Sequence, residues 1–243
     1  MNPATPKEAK RIFSDTMKGL VGTKGVQVSI CPPFVFLPDI AKELKGTKVQ
    51  LGTQDLASEG SGAYTGQISP AMAKAYKAKC AILGHSERRE IGESNELIGN
   101  KVRHAIRQGL TAVLCVGERE RSDEGTHFTF VRDELEAVFA GLKRVELAHL
   151  VIAYEPIWAI GKTAAEAMQT RDLFEMVLYI RKLLIERFGR NSADQVSILY
   201  GGSVKPENAA VLMKEGGIEG LLVGGASLDP KQFITIVNAV RTA

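Results

Sequence analysis

Glu155 closes the apolar run Leu150-Val151-Ile152-Ala153-Tyr154 and is followed directly by Pro156. A carboxylate at the end of such a run costs free energy unless it is paired or put to work. His85 ends a second apolar run, within Ile82-Leu83-Gly84-His85-Ser86-Glu87-Arg88-Arg89-Glu90. A histidine between a strand end and a helical turn can be held neutral by backbone N–H dipoles and serve as a hydrogen-bond donor. A lone histidine is more often structural, but this one shares its segment with four further charged residues. His104, His127 and His149, on a helix or beside connections, read as ordinary. Two glycine turns, Tyr200-Gly201-Gly202-Ser203 and Leu222-Val223-Gly224-Gly225-Ala226-Ser227, follow two further strand-like runs. Paired glycines let N–H groups approach an anion with no Cβ in the way. After Glu155, Pro156 and Trp158 stiffen a loop whose flexible point is Gly161. Exposed without purpose, Ile157, Trp158 and Ile160 would be unusual, so the segment reads as a lid.

The elements that position these groups alternate along the chain. Strands are expected at 26–30, 48–52, 80–84, 111–116, 150–154, 196–200 and 220–224. Most are continuous apolar runs, as in a parallel sheet buried on both faces. Helices are expected at 5–20, 94–108, 171–188 and 229–240, with weaker ones near 38–44, 70–77, 130–141 and 204–214. Thr5-Pro6-Lys7-Glu8 is a capping box with Pro at N1. Ser94 and Asp229 are further caps, and Gly109 and Gly189 stops.

Seven strands and eight helices in one domain, 1–243, describe an α/β barrel of the (β/α)8 type with its first β-strand missing. A doubly wound open sheet is the structural competitor. In such barrels active residues lie at the C-terminal ends of the strands, and a phosphate site forms after the last two. The two glycine turns occupy that place. The outer strands, 26–30 and 220–224, would have open edges, to be covered by a distortion, by the N-terminal segment or by a neighbouring chain.

Composition sets bounds. The chain has 243 residues, 44% hydrophobic and 24% charged, as in a globular protein. No apolar run reaches bilayer length and no signal peptide is visible, so a cytoplasmic location and no membrane partner are expected. A net charge of +3 suits an anionic small molecule and is too weak to argue for nucleic acid. Cys31, Cys80 and Cys115 lie in or beside apolar runs without a C-x-x-C pair and read as reduced, buried thiols.

At these residues the chain resembles the triosephosphate isomerase family. The resemblance rests on Ser61-Gly62-Ala63-Tyr64-Thr65-Gly66, Ile82 to Arg89, Cys115-Val116-Gly117-Glu118, Ala153 to Gly161, Tyr200 to Ser203 and Gly224-Gly225, in order, and covers essentially the whole chain. It implies a TIM barrel that interconverts dihydroxyacetone phosphate and glyceraldehyde 3-phosphate. Glu155 is then similar to the catalytic base and His85 to the neutral electrophile; that pairing is the family's own known pattern, carried over rather than inferred from spacing. Glu87 matches a supporting carboxylate. Gly161, Ser203, Gly224 and Gly225 match the phosphate clamp. Residues 61–68 resemble a loop that docks into a partner subunit, implying a homodimer. No metal or organic cofactor is expected.

The chain departs from the family in three places. Family members begin with a strand ending Asn-Trp-Lys-Met-Asn, of which Met1-Asn2 match only the last two residues. The lysine is a cation beside the reacting oxygens, so strongly impaired activity is expected, with a non-catalytic phosphate-binding or scaffold homologue as the alternative. A start placed at an internal Met is a third reading. The lid is two residues short, Ile160-Gly161 running directly into Lys162-Thr163. The stretch from Arg119 to Phe130 matches the family poorly.

Overall fold

A computed structural model describes residues 1–162 and 168–242. The strands are β1 (Ser29–Ile30), β2 (Gln50–Thr53), β3 (Cys80–Leu83), β4 (Thr111–Val116), β5 (Leu150–Tyr154), β6 (Ser197–Tyr200) and β7 (Gly220–Leu221). All neighbours pair in parallel, in the order β1-β2-β3-β4-β5-β6-β7. A doubly wound sheet reverses its strand order at a switch point; this order never reverses, which decides for the barrel type.

The helices are α1 (Pro6–Gly19), α2 (Leu37–Glu43), α3 (Pro70–Ala75), α4 (Ser86–Glu90), α5 (Asn95–Arg107), α6 (Thr126–Phe139), α7 (Thr170–Phe188), α8 (Arg190–Ala193), α9 (Ala209–Glu215) and α10 (Pro230–Thr242). Eight correspond to the expected helices, and the short α4 and α8 are additional. The caps form as the residue types require. Thr5 Oγ1 accepts from Glu8 N at 3.2 Å while Ala4 N donates to Glu8 Oε2. Ser94 Oγ accepts from Leu97 N, and Asp229 Oδ1 from Lys231 N. Helix α6 begins about one turn before its expected start, because Gly125 takes a φ of +74° and opens it at Thr126. His127 therefore lies on a helix and is buried.

The main core lies between β3–β7 and the helices, with Leu83, Leu114, Ile152 and Ile198 fully buried. A second cluster joins α1 and α2 to β2 through Phe13, Ile40 and Leu51. The two outer strands are the shortest, having a partner on one side only. Their ladders run slightly further, since Gln50 N donates to Val28 O and Leu222 N to Tyr200 O. Among the described residues β1 and β7 are not paired with each other. Helices α1 and α10 pack together across this seam, Gly19 lying against Ile234 and Leu20, Val28 and Val237 forming a cluster with Phe233. The N-terminus adds one contact, Gln54 Nε2 donating to Met1 O at 3.0 Å. Shortened strands and helix packing thus cover the edges more than the N-terminal segment does. Cys80 and Cys115 are buried as expected, but Cys31 is only half-buried because it follows the outer strand β1. No described helix is long and apolar enough to cross a membrane.

Candidate active site

The C-terminal ends of β3, β4, β5 and β6 converge on Glu155. The β4–β5 ladder extends one residue beyond β5, with Glu155 N donating to Val116 O at 2.8 Å, and this directs the side chain over the strand ends. Glu155 is 2% exposed. Gly117 and Gly201 make room for it: a Cβ on Gly117 would collide with the Glu155 carbonyl, and one on Gly201 would lie 2.7 Å from Glu155 Cγ. Burial pushes the Glu155 carboxyl above its ordinary range, while His85, the Cys115 thiol, the Ser86 N–H and Arg89 pull it back. Its Oε2 accepts from Ser86 N at 3.3 Å. Among the described residues its Oε1 has no hydrogen-bond partner, and His85 Nε2 stands 3.5 Å away.

His85 caps α4. Its Nδ1 accepts from Glu87 N at 3.3 Å. A nitrogen that accepts carries a lone pair, so this hydrogen bond assigns a ring proton to Nε2. The donor therefore faces the carboxylate. Glu87 contributes through its backbone N–H; its carboxylate is 76% exposed and stands 4.0 Å from Nδ1. Behind α4, Lys101 Nζ bonds both oxygens of Asp55 and Glu93 Oε1, and Arg88 bonds the same two acids. This largely buried four-charge network ties the end of β2 to the turn that carries His85.

Ser203 ends the first glycine turn, where its Oγ donates to Lys162 O at 2.5 Å, joining the turn to the lid. Gly224 and Gly225 follow β7, and a Cβ on either would meet nothing within 4 Å. The space above them is open, as an anion requires. Gly161 is exposed with φ +75°. Thr163, where the shortened lid resumes, lies outside the described residues. The structure thus gathers His85 and Glu155 into one contact and sets the two glycine turns on adjacent strands, leaving Glu87 at the rim.

Three residues that the strand-end rule did not single out complete the surroundings. Glu118, after β4, accepts from Tyr154 Oη at 2.8 Å and Trp158 Nε1 at 2.8 Å, and its carbonyl from Ile157 N. It thereby anchors the start of the lid. Glu118→Ala would strand a fully buried hydroxyl and the indole N–H, and is expected to destabilise the fold by about 3 kcal/mol; urea unfolding at neutral pH measures it.

Arg89 and Glu134 pair at 2.9 Å. Arg89 also donates to Gly84 O and Cys115 O, and Glu134 accepts from Gly117 N. The pair thus braces β3, β4 and α6 behind the base. Burial pushes the Glu134 carboxyl up to about 7, against the pull of Arg89. The folded state then holds this proton more tightly than the unfolded chain does. Stability from Glu134 is complete below the ordinary carboxylate value of 4.5 and is lost as pH rises through about 7. Wild type is therefore expected to lose on the order of 2–3 kcal/mol relative to Glu134→Gln between acidic and mildly alkaline pH, measured by urea unfolding of both chains.

A model of the triosephosphate isomerase family matches residues 1–240. Proteins named triosephosphate isomerase include one from Symbiobacterium thermophilum that is 44% identical over 241 residues, covering 98% of this chain and 93% of that one. Those from Thermoanaerobacter sp. (strain X514) and Methylococcus capsulatus are 42% and 43% identical, covering 96% and 95% of this chain and 94% and 91% of theirs.

The chain belongs to the triosephosphate isomerase family.

It is by that membership an isomerase, and its TIM-barrel type agrees with the strand order. The family match also spans Arg119 to Phe130, where the motif resemblance was poorest.

Proposed function

We propose that the chain binds a triose phosphate and interconverts dihydroxyacetone phosphate and glyceraldehyde 3-phosphate, with turnover strongly impaired in the 243-residue form. One observation carries this reading: His85 Nε2 stands 3.5 Å from a buried Glu155 oxygen that has no hydrogen-bond partner among the described residues. Substrate between them would give a proton from the carbon beside its carbonyl to Glu155. The Nε2–H of His85 would stabilise charge developing on the carbonyl oxygen. That Nε2 proton would pass to the oxygen to give an enediol; Glu155 would then return its proton to the former carbonyl carbon while the other oxygen gives its hydroxyl proton to Nε2 and becomes the carbonyl. No redox partner is needed, and neither metal nor organic cofactor enters. Ser203, Gly224, Gly225 and Gly161 would hold the phosphate, with Glu87 supporting the histidine turn.

Impairment is read from the lid, where Gly161 runs directly into Lys162, two residues short of the family's pattern. A second reading is a homologue that only binds phosphate or serves as an oligomeric scaffold. The chain is also read as one domain, 1–243, acting in the cytoplasm. Residues 61–67 are exposed throughout, Tyr64 included, on a loop closed by Ala57 N donating to Ile68 O. This projection supports a homodimer.

The test is dihydroxyacetone phosphate in deuterium oxide, followed by proton magnetic resonance. Deuterium entering the carbon beside the carbonyl faster than in buffer is expected. Saturable binding with exchange at the buffer rate would favour the second reading.

A further inference from the structure

We propose that Cys31 and Cys80 form a two-sulfur site for a soft, two-coordinate metal cation on the face of the sheet turned away from the helices. The strand register puts them there. Ile30 stands opposite Leu51, so Cys31 stands opposite Gly52, and Gly52 stands opposite Cys80. Leu51 and Ala81 belong to the helix-facing clusters, so by the alternation of strand side chains Cys31, Gly52 and Cys80 face the other way. A Cβ on Gly52 would lie 2.5 Å from Cys31 Sγ and 2.6 Å from Cys80 Sγ. Two atoms that close to one point are at most about 5 Å apart, the reach of two metal–sulfur bonds of about 2.3 Å each.

A disulfide is not open to them. Each strand step is about 4.8 Å, so the two α-carbons are roughly 9–10 Å apart, beyond the limit of about 7 Å for a bridge. A cation spans what a sulfur–sulfur bond does not. Among the described residues no group of three His, Cys, Asp or Glu could hold a metal, which leaves two-coordinate chemistry and thiophilic ions. A divalent ion with two thiolates is neutral, and so is tolerated in a buried place; the two displaced protons go to water. Cys31 is half-buried on the outer strand, which gives an approach. Neither thiol has a part in the proposed isomerisation. Cys115, by contrast, lies against Glu155.

Mercury(II) chloride is the probe, with remaining thiols counted by a chromogenic disulfide after denaturation. The first equivalent is expected to block two thiols per ion in wild type and in Cys115→Ser. In Cys31→Ser or Cys80→Ser it should block one, with at least a tenfold loss of affinity. One thiol blocked per ion in wild type, or unchanged affinity in both serine variants, would overturn the proposal. Gly52→Ala keeps all three thiols and fills the gap, so it should also fall to one thiol per ion; if it folds, shown by circular dichroism, and still blocks two, the geometry argued here is wrong.

Discussion

Extending the chain by a strand that ends Asn-Trp-Lys immediately ahead of Met1-Asn2 is expected to raise kcat/KM for triose phosphate isomerisation by about 10³-fold. The proposed site has a base, a hydrogen-bond donor and a place for phosphate, but Arg89, the fixed cation that bears on Glu155, is committed elsewhere. Its guanidinium is bound to Glu134, Asn95 and the carbonyls of Gly84 and Cys115. Among the described residues, charge developing on the substrate oxygens would therefore be met by the His85 imidazole without a free cation beside it. An ordinary charge-assisted hydrogen bond contributes roughly 1.5–3 kcal/mol. In a preorganised site the loss of one such donor costs about 10²–10³ in rate, and a displaced strand adds to it. Both chains would be assayed with glyceraldehyde 3-phosphate under identical conditions. Equal rates would show that the 243-residue chain needs no further cation, and a rate near the diffusional limit in the shorter chain would refute impairment outright.

Glu155→Gln is expected to lower kcat of the extended chain by about 10²–10⁴-fold and to bring deuterium exchange in the 243-residue chain down to the buffer rate. The amide is isosteric, so the close fit against Gly201 and Gly117 is kept and KM should move little. The same substitution has a second readout of opposite sign. Burial raises the Glu155 carboxyl, so ionising it at neutral pH works against the folded state. The glutamine variant should therefore unfold at a higher urea concentration than wild type at mildly alkaline pH, and lose that advantage in acid. A variant that lost both activity and stability would point to a structural role for Glu155.

The strands were legible because five of the seven expected runs are strongly apolar, and β3 to β6 fall within a residue of their expected bounds. The outer strands were overestimated at five residues each. Run length reports burial, whereas strand length depends also on having two neighbours. His85 was readable from its place before a helical turn, and its tautomer follows from the Glu87 N–H that such a turn supplies. Glu118 obeys the same rule as Glu155, a carboxylate just past an apolar strand, and could have been weighed by it. Glu134 left a fainter sign: an acid on the face of α6 that also carries Val131, Leu135 and Val138. Its partner Arg89 lies 45 positions away, and no local pattern joins them. The Cys31–Cys80 pair needed the strand register, which depends on hydrogen bonding between distant segments.

The packing of α1 on α10 has a consequence for how the chain is made. Leu20 and Val28 find their partner Val237 more than 200 positions later, so this cluster cannot assemble until synthesis is nearly finished. Closing a loop of that length costs about 5 kcal/mol in chain entropy, which the earlier-formed core on β3–β7 must first reduce by holding the ends near each other. A nascent chain stalled before residue 230 would carry β1 with its apolar side unsheltered, a state prone to self-association and a natural client for chaperones.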